Sequence, residues 1–197
     1  VGSEMCIRDR IYILPLDGGE ATRLTSISTG AANPQWRPDG QAILFQSHVY
    51  PGAATDEENK KIAAERKARK YNVRVYESFP FRFWDRWLDD LRPHIFVQGL
   101  GENEKARDLL AGTKLAAMPG FEGTRSTGDS ELEAVWSPDG SSIVFTATTD
   151  RHQSAYAPTT FHLYRIPATG GEPEPLTRGP DSYTKPRFSP DGKALYA

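Results

Sequence analysis

Residues 11–45, IYILPLDGGEATRLTSISTGAANPQWRPDGQAILF, align without a gap on residues 163–197, LYRIPATGGEPEPLTRGPDSYTKPRFSPDGKALYA, and 12 of the 35 pairs are identical. The identities include Gly18-Gly19-Glu20 with Gly170-Gly171-Glu172, Leu24-Thr25 with Leu176-Thr177, and Pro38-Asp39-Gly40 with Pro190-Asp191-Gly192. A third, shorter copy, AVWSPDGSSIVF, occupies 134–145 and brings Trp136 onto Trp36. The turn chemistry is specific. Proline presets φ near −65°, aspartate can bond its own backbone, and glycine supplies the positive φ that closes a hairpin. Each copy reads as four short strands. The first is apolar (Ile11–Leu14, Ile95–Val97, Leu163–Ile166) and the second ends in Leu-Thr (Ala21–Thr25, Glu174–Thr177). The third ends at an aromatic (Trp36, Trp136, Phe188), and the fourth follows Pro-Asp-Gly (Ala42–Phe45, Ser142–Phe145, Ala194–Tyr196). The recurrent aromatic is expected to be a buried wedge between neighbouring sheets.

Four antiparallel strands per repeat, at a period of ~50 residues, predict an all-β chain built as part of a β-propeller. Trp136 to Phe188 is 52 residues, whereas Trp36 to Trp136 is 100, so the middle copy carries an insertion. The expected organisation is a partial propeller of about three four-stranded blades over 11–197, interrupted by the insertion 48–93. Residues 1–10, VGSEMCIRDR, show neither a signal-peptide pattern nor a period, and read as non-native or disordered sequence. The last copy stops inside its fourth strand, so the chain reads as a fragment.

Composition narrows the function classes. Lys plus Arg is 24 and Asp plus Glu is 26, a net charge of −2, which argues against a nucleic-acid surface. The 17 glycines and 15 prolines exceed the usual ~12% and fit many tight turns. No apolar run approaches the ~18 residues of a membrane span. Cys6 is the only cysteine, so neither an intrachain disulfide nor a cysteine zinc site is available.

The insertion has two parts. TDEENKKIAAERKARKY (55–71) is helical by composition: Thr55 and Glu58 have capping-box spacing, and Asp56, Glu57 and Glu58 fall at the positive end of the helix dipole. NVRVYESFPFRFWDRWLDDLRPHIFV (72–97) alternates Val73, Val75, Phe79, Phe81 and Phe83, which predicts a two-stranded arm returning to the sheet. Trp84 and Trp87 are expected to pack down as anchors, with Arg82 and Asp85 paired across the bend. The same four residues, Arg82, Trp84, Asp85 and Trp87, are the candidates for a substrate- or partner-facing surface.

Arg82-Phe83-Trp84-Asp85-Arg86-Trp87-Leu88-Asp89-Asp90, followed by Arg92-Pro93-His94-Ile95-Phe96-Val97 and the Ser-Pro-Asp-Gly repeats, resembles the N-terminal propeller of the prolyl oligopeptidase (S9) family of serine peptidases. The nearest branch in that resemblance holds the acylaminoacyl-peptidases and dipeptidyl-peptidase-5-like enzymes. It implies a C-terminal α/β-hydrolase domain bearing a Ser–Asp–His triad, which this chain does not contain, and a propeller that admits peptides to it. The chain has no Gly-x-Ser-x-Gly elbow. None of His48, His94, His152 or His162 stands in a triad-like setting, and His94 and His162 read as structural residues at strand starts. No catalytic, cofactor-binding or metal-ligating residue is assigned, and no cofactor is implied. Asp89-Asp90 and Asp56-Glu57-Glu58 lack calcium-loop spacing.

The partners implied are peptide substrates, acting through the missing domain, with self-association of the complete protein left open. The compartment, cytoplasmic or periplasmic and secreted, is also open. The alternative reading is a TolB-like periplasmic propeller that binds protein partners; it accounts for the repeats but not for 48–93. A metal-dependent sugar or lactone hydrolase on a propeller would need convergent acidic or histidine ligands that the sequence does not offer.

Overall fold

The computed structural model describes residues 10–71, 73, 75–76, 80–83, 86–88, 90–101, 103–125 and 129–197. Strands β1 (Tyr12–Ile13) and β2 (Thr22–Arg23) form a two-stranded sheet, sheet I. Next come β3 (Ala32–Trp36), β4 (Ala42–Val49), helix α1 (Asp56–Lys67), and the short strands β5 (Arg82–Phe83) and β6 (Arg86–Trp87). Strands β7 (Arg92–Gly99) and β8 (Arg107–Asp108) complete the four-stranded sheet II, in the order β3-β4-β7-β8. Sheet III holds β9 (Val135–Trp136), β10 (Ser142–Ala147), β11 (His162–Pro167) and β12 (Glu174–Pro175) in the order β12-β11-β10-β9. Strands β13 (Arg187–Phe188) and β14 (Leu195–Tyr196) form sheet IV. The described residues are therefore mostly β, with one α-helix.

The sheets stack face to face because both faces of the central strands are apolar. On β4, Ala42 and Leu44 point to sheet III, while Ile43, Phe45 and Val49 point to sheet I. On β7, Ile95 and Val97 face sheet III and Phe96 faces sheet I, where it stacks on Phe45 at 5.4 Å between ring centroids. Sheet III repeats the pattern: Ile143, Phe145, Ala147 and Ile166 face sheet II, and Val144 and Leu163 face sheet IV. The segment between β8 and β9 adds Leu109, Leu110, Leu115, Phe121 and Leu132 to the layer between sheets II and III. Each such side chain contributes ~1.5–3 kcal/mol when removed from water.

The Pro-Asp-Gly turns are built alike. Gly40, Gly140 and Gly192 have φ of 70°, 67° and 71°. Their amides bond Arg37 O, Ser137 O and Ser189 O at 2.8, 2.8 and 2.9 Å. The aspartates cap the turns: Asp39, Asp139 and Asp191 each accept the amide two residues on. Ser137 Oγ and Ser189 Oγ also donate to Asp139 and Asp191, both at 2.6 Å.

Two features differ from the sequence reading. The first is the grouping of strands. A copy does not make one sheet; its first two strands close the sheet in front, and its last two open the sheet behind. Sheet II thus takes β3 and β4 from the first copy and β7 and β8 from the next. The second is Trp36, which was expected to be buried and is 53% exposed, whereas its counterpart Trp136 is 7% exposed. Both aromatics face the preceding sheet, since Trp36 pairs in register with Ile43 and Trp136 with Ile143. Trp136 meets a four-stranded sheet, and its Nε1 donates to Gln35 O at 3.4 Å. Trp36 faces sheet I, which among the described residues has two strands to cover it. Phe188 is half-buried against Val135, Val144 and Leu163.

Trp136→Ala is expected to cost ~3–5 kcal/mol in urea unfolding of the protein carrying this chain, and a loss below about 1 kcal/mol would contradict the wedge role. The Ser137 hydroxyl, the Ser141 amide and the Ser141 hydroxyl hold Asp139 down at about 2. An unfolded aspartate titrates near ~3.9. The stabilisation from this depressed carboxyl is therefore complete above about pH 4 and is lost as pH falls through about 2. Carboxyl NMR titration should show Asp139 rising toward the ordinary value in Ser137→Ala; an unchanged midpoint would remove the hydroxyl as cause.

Candidate functional site

The connection from β4 to β7 carries helix α1 and the aromatic arm. Thr55 caps the helix, its Oγ1 accepting the Glu58 amide at 3.2 Å while Glu58 Oε2 accepts the Thr55 amide at 3.2 Å. This is the capping box read from the sequence; the helix itself ends at Lys67, with Ala68 as its C-cap. Asn59 is the buried residue of the helix, and its Oδ1 accepts the Tyr50 amide at 2.9 Å. Asp56 accepts the Ser28 amide at 2.7 Å and pairs with Lys60 at 2.6 Å. Partial burial alone would raise the Asp56 carboxyl, but Lys60 and Ser28 outweigh it and hold the group below its ordinary value. The other end of the helix is tied by Arg66, which lies 4.4 Å over the Tyr50 ring and grips both carboxylate oxygens of Asp90. The helix thus binds the root of the arm at Tyr50 and its return at Asp90.

The arm is a short hairpin, β5 with β6, in which Arg82 stands opposite Trp87 and Phe83 opposite Arg86. Its aromatics pack on one another. Tyr76 lies 5.8 Å from Phe81 and 6.2 Å from Trp87, and Phe81 lies 6.1 Å from Trp87. Backbone bonds fix the fold of the hairpin: Leu88 N donates to Phe81 O at 3.0 Å, and the Tyr76 hydroxyl donates to Leu88 O at 3.1 Å. Arg82 lies over the Trp87 ring at 5.7 Å, a cation–π arrangement. Trp87, expected to pack down as an anchor, is instead 53% exposed; it stacks within the arm, because Tyr76 and Phe81 supply its apolar contacts. Trp84 and Asp85, with the expected Arg82–Asp85 pair, lie outside the described residues. Val73, Val75 and Phe81 are also exposed, so this arm presents a concentrated apolar and aromatic surface to solvent.

Sequence reasoning missed Tyr76, which falls out of phase with Val73 and Val75, and it missed the Arg66–Tyr50 stack, which no local spacing reveals.

A cavity of about 550 Å³ lies beside the arm's root, between the start of α1 and the strands β7 and β8. Its lining mixes Leu24, Ile27 and Phe96 with Asp56, Lys60 and Asp108. Asp108 Oδ2 bonds His94 Nδ1 at 2.7 Å, with both side chains buried. Ser47, opposite His94 in register, shares a bond with the Thr29 hydroxyl at 2.7 Å. Asp108 also accepts the Leu110 and Ala111 amides at 2.9 and 3.1 Å, so the pair ties down a turn. Among the described residues, no group of three His, Cys, Asp or Glu could hold a metal ion, and no helix is long and apolar enough to cross a membrane.

No protein-family model matches the chain. It is similar to dipeptidyl-peptidase 5 of Porphyromonas endodontalis, 28% identical over 189 residues, which is 94% of this chain and 25% of that protein. Dipeptidyl-peptidase 5 of Porphyromonas gingivalis is 24% identical over 227 residues, covering 94% of this chain and 32% of its own. The uncharacterized peptidase YuxL of Bacillus subtilis is 39% identical over 51 residues, 26% of this chain and 8% of that protein. These likenesses link the chain to peptidases at low identity. The chain spans between a quarter and a third of the length of the two dipeptidyl-peptidases it matches.

Thr55→Ala is expected to destabilise α1 by ~1 kcal/mol, read as faster amide exchange through the helix. Exchange rates equal to those of the parent would contradict the capping role.

Proposed function

We propose that this chain is part of the propeller of an S9-type serine peptidase, and that the propeller controls which peptides reach a hydrolase domain outside the chain. The observation that carries this reading is the exposed aromatic arm, clamped by α1 at the end of the sheets where β4 passes to β7. Two relatives named as dipeptidyl-peptidases support a peptidase setting. The repeated aromatic and Pro-Asp-Gly geometry supports the propeller. In this reading the bond-breaking step, attack by an activated serine with a histidine as base, belongs to the hydrolase domain. The chain's own residues act on the peptide before that step. Trp87 and Phe81 offer apolar surface to an incoming chain, and Arg82 lies over the Trp87 ring and steadies it.

The test is a comparison of short and long peptides cleaved by the protein that carries this chain. Trp87→Ala is expected to lower kcat/KM about three- to ten-fold for peptide substrates, with the melting temperature unchanged, because its ring is half in solvent and a lost aromatic contact is worth ~0.5–1.5 kcal/mol. Unchanged kcat/KM at every peptide length would overturn the arm's part in peptide access.

A further inference from the structure

The basic end of α1 adjoins the aromatic arm. Arg66 grips the Asp90 carboxylate with two nitrogens, and Asp90 stands three residues after Trp87, so the last turn of the helix sits at the base of the hairpin. Residues 60–74 hold seven lysines and arginines against one acid, Glu65, in a chain whose net charge is −2. Lys67, Arg69 and Lys70 are exposed, and among the described residues their side chains make no ion pair or hydrogen bond. Tyr71, Val73 and Val75 follow them directly in the chain and are exposed too, Val75 to 80%. Phe81 and Trp87 extend the apolar surface onto the hairpin.

Apolar surface beside unpaired cations is complementary to a partner that carries both apolar groups and anions. An anionic bilayer and an acidic peptide both have that chemistry, and three observations favour the peptide. Helix α1 has no apolar stripe to lay in a bilayer, since Asp56, Asn59, Ile62 and Arg66 form its inward side and charged residues with alanine its outward side. Asp56, Glu57 and Glu58 in its first turn meet anionic lipid with like charge. The rings of Tyr76, Phe81 and Trp87 lie against one another, which presents a packed surface rather than splayed tips that enter an acyl layer. An extended peptide suits this surface. Its successive side chains point opposite ways, so one short segment offers apolar groups to the rings and carboxylates to the cations.

We propose that this surface selects peptides that carry acidic residues alongside apolar ones. Lys67, Arg69 and Lys70 meet the carboxylates, and Trp87 and Phe81 meet the apolar side chains. The inference rests on the arm's part in peptide access and names the peptides that the arm favours. Because the three cations are exposed, they act by long-range attraction that speeds encounter and weakens with salt. The aromatic contact is local and does not share that salt dependence.

The experiment uses the protein that carries this chain and two peptides that it cleaves. The peptides are equal in length and identical around the cleaved bond; one carries glutamates remote from that bond and the other carries glutamines in their place. At low salt, kcat/KM for the glutamate peptide should exceed that for the glutamine peptide about five-fold or more. The ratio should fall toward unity at ~1 M salt, where exposed charges are screened. Combining Lys67→Gln, Arg69→Gln and Lys70→Gln should bring the low-salt ratio close to unity, and the salt series on the parent serves if that variant does not fold. Equal cleavage of both peptides by the parent at low salt, with Trp87→Ala still lowering kcat/KM for both, would overturn this inference alone. Cleavage of both peptides by Trp87→Ala at the parent rate would overturn the reading on which it rests. A preference that survives the combined variant would overturn the role of the three cations. Sedimentation of the parent with phosphatidylserine vesicles, lost in the combined variant and unaccompanied by any peptide preference, would assign the surface to a membrane and overturn the proposal.

Discussion

The rest of the structure depends on one apolar layer, pressed between two four-stranded sheets. Leu44, Ile95 and Val97 supply one side, Ile143, Phe145 and Ile166 the other, and Trp136 closes it. The layer exists because strand residues alternate between faces, and β4, β7, β10 and β11 place an apolar side chain on both. A register slip of one residue would exchange the two faces of a strand, and each face is cut for a different neighbour. The same alternation carries the packing outward to sheet I through Phe45 and Phe96, and to sheet IV through Val144 and Leu163.

Polar groups complement this packing where strands end. Gln46 accepts the Leu132 amide at 2.9 Å, and Gln35 donates to Ala134 O at 2.6 Å, so sheet II holds the segment that leads into sheet III. Gln98 reaches back to Leu24 O at 2.9 Å and ties sheet II to sheet I. Sheets I and IV have two strands each among the described residues, and the residues that a fuller sheet would cover lie open there. Trp36 at sheet II and Tyr196 at β14 are examples. The long connection from β4 to β7 leaves the apolar layer undisturbed because its helix is fastened by Tyr50, Ser28 and Asp90, all outside that layer.

Much of this was legible in the residues. Pro-Asp-Gly located three turns because glycine takes the positive φ they need without steric cost, and the capping box at Thr55 and Glu58 located the helix start. The phase of the repeat was not legible. A periodic sequence reads the same wherever its period is cut, and only hydrogen bonding between strands decides which pairs share a sheet. Arg107–Asp108 escaped notice because the middle copy lacks the Leu-Thr ending of the other two. The arm's hairpin could be anticipated from alternating aromatics, but not that Trp87 would stack on Tyr76 and Phe81 rather than on the sheets. The approach of Arg92 to Glu122 had no sequence signal, since the two stand on segments far apart in the chain.

The claim that sheets II and III share one core is tested most directly by native-state hydrogen exchange of the protein carrying this chain. Amides of β4, β7, β10 and β11 should exchange only through one common opening, with a single free energy and a single denaturant dependence. The amides of β5 and β6 in the arm should exchange through smaller openings of their own. If β4 and β7 instead opened separately from β10 and β11, with distinct free energies, the two sheets would be independent units. The account of a shared apolar layer would then be wrong.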